Sequence, residues 1–290
     1  MPAITISFMN NKGGCGKTTT ACAVGQAWAR SGKRILFVDL DSQANLTSIV
    51  TDTNPTTAEW ENTIENVLIG GPDFIEDAIL HVAENVDIIP ADLELASFEK
   101  DISHTNLREF LLAEALDRIK DRYDFILLDC PPALSMIIYN ALVASDYIVI
   151  VTTPDRPSYR GMGMISEIYE QVRGNKRLNP NIDILGIVIT RYENITVANV
   201  FVPKIANVKL DDPKDVKKFV DSDEDDNDCL VVKPIIPKAA KIQASMSLQV
   251  SLYDYDRSGK SAQKYAKLSE NLYRRVVEAE RVKNHNIENK

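Results

Sequence analysis

Residues 12–19 read Lys-Gly-Gly-Cys-Gly-Lys-Thr-Thr, and this stretch decides the fold. Its glycines let backbone N–H groups approach phosphate oxygens, Lys17 can reach the terminal phosphates, and the Thr18 hydroxyl can bind Mg²⁺. A standard phosphate-binding loop begins with glycine five residues before Gly16, where this chain has Asn11. The Gly-Lys-Thr end is complete, so the stretch predicts a loop that holds the phosphates of a nucleotide.

The flanking sequence places this loop between a strand and a helix. The apolar run 3–9 predicts a buried strand, and a helix is expected from about residue 18 to residue 30, where Gly32 stops it. A second apolar run, 35–38, predicts the next strand and leads directly into Asp39. A strand–helix–strand unit requires a parallel sheet with a helical crossover.

The same alternation continues along the chain. Further strands are predicted at 86–89, 125–128, 147–151 and 182–189, with helices at 107–120 and 162–172 among the segments between them. We find no internal repeat and no Pro/Ser-rich linker. The pattern therefore predicts one α/β domain over residues 1–290, a P-loop NTPase with a mostly parallel, twisted sheet flanked by helices.

Composition excludes several classes of protein. The chain has 33 Lys and Arg against 42 Asp and Glu, a net charge of −9, which argues against a protein that coats nucleic acid over its whole surface. With 44% apolar and 26% charged residues it is neither disordered nor fibrous. No apolar run reaches about 18 residues and no signal-peptide pattern is present, so we expect a cytoplasmic protein without a membrane partner. The four cysteines form no C-x-x-C pair, which disfavours a disulfide framework or a zinc site.

Two segments stand apart from the alternating pattern. An acidic loop insertion is expected around 207–230, since residues 221–228 carry six acids. Its acid spacing is similar to that of a calcium loop, but Asp226 replaces the required glycine and Val232 the final glutamate. We therefore predict a solvated, mobile loop. Apolar residues at helical spacing predict a last helix around 261–282, packed on the sheet; a membrane-surface helix or a partner contact is the less favoured interpretation.

Several motifs, in order, resemble those of one family. The loop at 12–19 resembles the deviant Walker A motif of the ParA/MinD superfamily, whose hallmark is an extra lysine at the position of Lys12. Residues 38–45 resemble the family's first switch segment, with Ser42 in place of the usual proline, and residues 123–132 resemble its Walker B strand and the turn that follows. Similar matches at 184–190, 236–238 and 253–265 favour the ParA/Soj-type partition branch. The resemblance leaves out 45–85 and 200–230.

The resemblance implies a role for individual residues. Lys12 would reach across a homodimer to the partner's phosphates, as an arginine finger does in trans. Asp41 would position the attacking water, and Asp39 would support the magnesium shell, although the division of roles between these two acids stays open. Asp129 would hold Mg²⁺ through water. The implied catalytic residues are Lys12, Lys17 and Asp41; the nucleotide-binding residues are Lys12, Gly13, Gly14, Cys15, Gly16, Lys17, Thr18, Thr19 and Pro237; and the metal-site residues are Thr18, Asp39 and Asp129.

DNA is the usual track of this family, which implies a DNA-binding patch and nucleoid association in the ATP-bound state. Arg191, Lys238 and Lys241 are the candidate contacts to DNA phosphates. One departure weakens the implication, because Ile195 occupies the position where many relatives have an arginine. The implied function is a slow ATPase with ATP and Mg²⁺ as ligands, stimulated by a ParB-type centromere-binding partner. The alternatives are a ParA-like ATPase that positions a protein cargo and a MinD-like membrane-cycling switch.

Overall fold

The computed structural model describes residues 2–53, 60, 62–210 and 212–288. Within these residues, seven strands form one sheet in the order β3-β4-β2-β5-β1-β6-β7. The strands are β1 Ile4–Met9, β2 Ile35–Asp39, β3 Leu80–Ala83, β4 Val86–Ile89, β5 Phe125–Asp129, β6 Tyr147–Thr152 and β7 Asp183–Ile189. Only the β3–β4 pair is antiparallel. The predicted mostly parallel α/β fold is confirmed.

Helices cover both faces of this sheet. In chain order they are α1 Lys17–Arg30, α2 Asn45–Thr51, α3 Ile64–Gly70, α4 Phe98–Asp101, α5 Leu111–Leu116, α6 Met136–Ala144, α7 Arg156–Gly174, α8 Thr196–Ala206, α9 Pro213–Asp221, α10 Ala240–Ser247, α11 Leu252–Tyr255 and α12 Lys260–Glu288. Short 3₁₀ turns occur at Pro72–Ile75, Leu93–Ser97 and Lys120–Arg122.

Strand β2 shows why two cores form. All five of its residues are buried, and they alternate between the faces because successive side chains of a strand point in opposite directions. Leu36 and Val38 join the core beneath the helices α3 to α9. Ile35 and Phe37 join the core beneath α1 and α12, where the Phe37 ring fills the space that a side chain at Gly25 would need.

Helix boundaries differ from the sequence prediction at several places. The helix expected at 107–120 is only α5, because Leu107 takes a positive φ of 54° and residues 120–122 form a 3₁₀ turn. Helix α7 begins earlier than expected, at Arg156, because Asp155 caps it by accepting a hydrogen bond from the Ser158 N–H. The antiparallel strand β3 was not predicted. The last helix extends beyond 261–282 in both directions.

The segment expected to be an acidic loop at 207–230 contains one helix, and its acids at 223–228 follow that helix in a loop whose residues are mostly exposed. Helix α9 lies inside it, capped by Asp212. After α9, Asp225 forms a two-pronged ion pair with the buried Arg275 of α12, at 2.6 and 2.9 Å. Arg275 also donates to backbone carbonyls of the segment, including those of Asp226 and Cys229. Asp225, together with Asp223, which pairs with Lys264 at 3.1 Å, therefore ties the acidic segment to α12.

Candidate nucleotide-binding site

The phosphate loop lies between β1 and α1, at the carboxyl edge of the sheet where α/β proteins bind ligands. Gly14 and Gly16 have φ of 70° and 94°, in the left-handed region that glycine tolerates. A side chain at Gly16 would also approach the Thr190 hydroxyl oxygen to 3.4 Å. Both glycines are therefore required by the backbone of the loop.

A cavity of about 630 Å³ opens over this loop. The predicted residues that line it are Gly13, Gly14, Gly16, Lys17, Thr18, Thr19, Asp41 and Pro237. Lys17 is buried, and its Nζ lies 3.4 Å from the Lys12 carbonyl oxygen. Cys15 is fully buried and does not line the cavity, which agrees with a packing role for its side chain, and burial raises the pKa of its thiol.

A larger cavity, of about 1160 Å³, lies at the opposite edge of the sheet. Its walls include Ala3, Phe125 and Tyr273. Because it is at the amino ends of the strands, it is remote from the phosphate loop, and size alone does not identify the site.

Two acids meet beside the loop. Asp39 and Asp129 are register partners at the ends of β2 and β5, and both are buried. Burial raises the pKa of Asp129 well above its ordinary value and Asp39 raises it further, while Thr18 and Lys17 lower it. Neither carboxylate oxygen of Asp129 accepts a hydrogen bond of ordinary geometry from the described residues. A buried, unpaired carboxylate beside a threonine hydroxyl fits a hydrated divalent cation, which would supply the missing partners.

Asp39, which is predicted to support the magnesium shell, accepts hydrogen bonds from the switch segment and from α2. One of its oxygens accepts from the Asp41 N–H at 3.1 Å, and the other accepts from the N–H and hydroxyl of Thr47, each at 2.9 Å. Burial raises the pKa of Asp39 to about 6, against the lowering effect of these hydrogen bonds. These hydrogen bonds tie the end of β2 to the switch segment and to α2, and the role of Asp39 in the metal shell stays a prediction. Asp41 lines the cavity, and its side chain accepts from the Gln43 N–H at 3.0 Å.

The extra lysine points away from its own phosphate cavity. Lys12 Nζ donates to Asp155 at 2.7 Å and to Thr153 at 3.0 Å. The three residues line a second cavity of about 260 Å³ beside the first. Burial alone would raise the pKa of Asp155, but hydrogen bonds from Lys12, Thr153 and Ser158 hold it below its ordinary value. Lys12 is thus paired within its own chain.

The three residues predicted to bind DNA are all exposed, and each has a partner within the chain. Arg191 donates to the Gly14 carbonyl at 2.6 Å. Lys238 pairs with Glu193 at 3.1 Å, and both Arg191 and Lys238 line the nucleotide cavity. Lys241 lies 3.9 Å from Asp256.

Sequence reasoning missed Thr153, Asp155 and Thr190. All three follow the ends of β6 and β7, which border the phosphate loop in the sheet. Polar residues directly after buried parallel strands, as at 152–155, are the signal that could have found them.

The chain is similar in sequence to known proteins. A family model for an AAA domain matches residues 3–184. The chain is 33% identical to the sporulation initiation inhibitor protein Soj of Bacillus subtilis, over 92% of this chain and 97% of that protein. It is 30% identical to the chromosome partitioning protein ParA of Caulobacter vibrioides, over 97% of this chain and 96% of that protein.

The chain is a member of the ParA/MinD family. This ParA/MinD protein also matches an uncharacterized protein of Mycobacterium tuberculosis, at 38% identity over 68% of this chain, and the match spans 60% of the length of that relative.

Solved structures share the fold of this ParA/MinD protein. A putative plasmid partition protein from Borrelia burgdorferi, bound to AMPPNP, superposes with a TM-score of 0.74 at 20% identity, covering 94% of this chain and 99% of that chain. A McdA–ATP complex from Cyanothece superposes with a TM-score of 0.74 at 19% identity, covering 94% of this chain and 96% of that chain. Cobyrinic acid a,c-diamide synthase from Mycobacterium smegmatis, bound to an ATP analogue and magnesium, superposes with a TM-score of 0.75 at 25% identity, covering 94% of each chain. In the described part of this chain, no helix is both long and apolar enough to cross a bilayer.

Proposed function

We propose that this protein is a ParA-type partition ATPase that binds ATP and Mg²⁺, dimerises around two nucleotides and, as a dimer, binds DNA without sequence preference. Hydrolysis is slow until a ParB-type, centromere-binding partner stimulates it. The observation that carries the proposal is the division of the two loop lysines: Lys17 lines the nucleotide cavity, whereas Lys12 lines the neighbouring one.

The residues divide the work as follows. Lys17 and the N–H groups of the loop bind the phosphates. Thr18 and Asp129 would hold a hydrated Mg²⁺, which would supply charge neutralisation for phosphoryl transfer. Asp41 orients the attacking water from the cavity wall. Lys12 leaves Asp155 and reaches the phosphates of the second protomer. Basal turnover is slow because this cation is paired in its own chain until the dimer forms.

DNA binding depends on dimerisation, because a monomer offers few cations and the two-fold axis doubles the number. The test is retention on random-sequence duplex DNA at low salt, with ATP or ADP. The ATP state should be retained and should weaken steeply as salt rises. At saturating nucleotide, Lys238→Glu combined with Lys241→Glu should abolish retention. Lys176→Glu combined with Arg177→Glu makes the same change in net charge on exposed residues and is the matched control.

Transport of a protein cargo is the second candidate, and the surface of α8 favours it. Ile195, Val197 and Val200 are 53%, 50% and 47% exposed, so an apolar strip lies beside the Lys12 cavity. Apolar strips of this kind suit protein contacts better than phosphate contacts. If the ATP-bound protein shows no retention on DNA at low salt, the partition proposal fails and the cargo proposal replaces it.

A further inference from the structure

Two consecutive residues after β7 bind two consecutive carbonyl groups of the phosphate loop. The Thr190 hydroxyl donates to the Cys15 carbonyl oxygen at 2.5 Å. The Arg191 Nη1 donates to the Gly14 carbonyl oxygen at 2.6 Å. We call Thr190 and Arg191 the carbonyl clamp.

The clamp has a direct consequence for the opposite side of the loop. In a planar trans peptide the C=O of one residue and the N–H of the next point in opposite directions. Holding the carbonyls of Gly14 and Cys15 therefore fixes the directions of the Cys15 and Gly16 N–H groups. A row of N–H groups fixed in this way forms a concave anion site. An unclamped loop would spend part of its time with these groups turned elsewhere, and would bind phosphate less well for that reason.

Arg191 has an unfavourable backbone conformation at the position from which it makes this contact. Its φ is 52°, in the left-handed region that is unfavourable for a non-glycine residue. The neighbouring backbone holds it there, since the Thr190 N–H donates to the Thr152 carbonyl and the Tyr192 N–H donates to the Ile236 carbonyl. Backbone strain of this kind is retained where it serves a site.

Arg191 also lies between the two cavities, lining both the nucleotide cavity and the smaller one that holds Lys12. One of its five N–H donors is used on Gly14. The guanidinium thus adds a positive charge beside the loop that the anionic ligand must approach.

We propose that Arg191, with Thr190, is a positioning residue for the nucleotide polyphosphate and not a DNA contact. The inference rests on the proposed function in one respect, that the ligand of the cavity is a nucleoside triphosphate.

The test is the affinity for a fluorescent ATP analogue with Mg²⁺, measured for the full chain. Arg191→Ala should weaken binding by about 10-fold to 100-fold, the effect of losing a charged hydrogen bond. Arg191→Lys should restore part of the affinity, because it keeps the charge and one donor. Thr190→Val should weaken binding by about 3-fold to 10-fold, and Thr190→Ser should match the wild type. Lys204→Ala, an exposed cation on α8, is the control and should change nothing.

Melting temperatures without nucleotide separate positioning from folding. The variants should melt within a few degrees of the wild type. Arg191→Lys should differ from Arg191→Ala in nucleotide affinity and not in melting temperature. The inference is overturned if Arg191→Ala binds the analogue within about twofold of the wild type, or if its affinity falls only in proportion to lost folded protein. If Arg191→Ala keeps its affinity for the ATP analogue but loses DNA retention at saturating nucleotide, Arg191 is a DNA contact and the inference is wrong. If the wild type itself binds no nucleotide, the proposed function fails instead.

Discussion

Lys12 Nζ lies 2.7 Å from the Asp155 carboxylate of the same chain. The two side chains are each 31% exposed, so the pair is shielded from water only in part. Such a pair contributes about 0.5–1 kcal/mol. The ion pair is strong enough to favour the position of Lys12 beside Asp155. It is also weak enough for the phosphates of a nucleotide bound to a second protomer to replace Asp155 as the partner of Lys12.

Removing the charge of Asp155 should release Lys12. Asp155→Asn is the informative change, because asparagine still caps α7 and keeps the hydrogen bond from the Ser158 N–H. We expect ATP-dependent dimerisation and basal hydrolysis to rise by about twofold to fivefold, the factor that corresponds to losing an ion pair of this strength. Steady-state phosphate release and light scattering measure the two effects.

The control for this variant is Asp183→Asn, which removes an acid from the exposed ion pair with Arg173 and should change neither rate. Unchanged or slower hydrolysis in Asp155→Asn would show that the pairing does not restrain Lys12.

Asp41→Ala should separate binding from hydrolysis. The side chain lines the nucleotide cavity and accepts a local hydrogen bond from the Gln43 N–H, so its loss should leave the phosphate loop intact. We expect ATP affinity within about threefold of the wild type and turnover reduced by about 10²-fold or more, the contribution of a positioned catalytic group. Full turnover in this variant would move the role to another acid.

Asp225→Ala should destabilise the fold strongly. It would leave the buried Arg275 guanidinium, 6% exposed, without its counter-ion, and breaking a buried pair from one side costs about 3–5 kcal/mol. Chemical denaturation measures the loss. Asp228→Ala removes an exposed acid from the same segment and should stay within about 0.5 kcal/mol of the wild type. Equal stability of the two variants would contradict the structural role of the acidic segment.

Lys233 should make stability depend on pH. Its ammonium group lies 3.5 Å from the Phe219 ring centroid, and burial lowers its pKa to about 8. An unfolded lysine titrates near ~10.4, so between these values the unfolded chain binds more protons and the Lys233 contribution to stability rises with pH. Buried thiols make stability fall as pH rises. The wild type must therefore be compared with a variant that retains these thiols.

The free energy of unfolding of the wild type, minus that of Lys233→Met, should therefore increase by about 1–2 kcal/mol from pH 7.5 to 9.5. Lys217→Met, at an exposed position of α9, should show no such increase. A flat difference for Lys233→Met would mean that the lysine titrates normally.

The phosphate loop and the sheet were predictable because each depends on local sequence. Glycines at positive φ and continuous apolar runs have few structural alternatives, so residues 12–19 and the strand ends at Asp39 and Asp129 could be located from the sequence. Strand β3 could not, because its half-exposed residues carry little of the apolar pattern that marks a buried strand.

The partners of charged residues were beyond sequence analysis for a different reason. Asp225 and Arg275 are 50 residues apart, and nothing local distinguishes Asp225 from its acidic neighbours. Only the packing of α12 on β7 shows which acid is buried. The same holds for Arg191, whose sequence context matches a DNA contact while its side chain bonds the phosphate loop.

The central claim is that Lys12 acts on the nucleotide of a second protomer, and the most direct measurement is ATP turnover per protomer as a function of protein concentration. If the lysine acts in trans, turnover per protomer should rise with concentration and reach a plateau as dimers form, while Lys12→Ala stays near zero throughout although it still binds ATP. A turnover per protomer that is independent of concentration, together with normal activity of Lys12→Ala, would contradict the account.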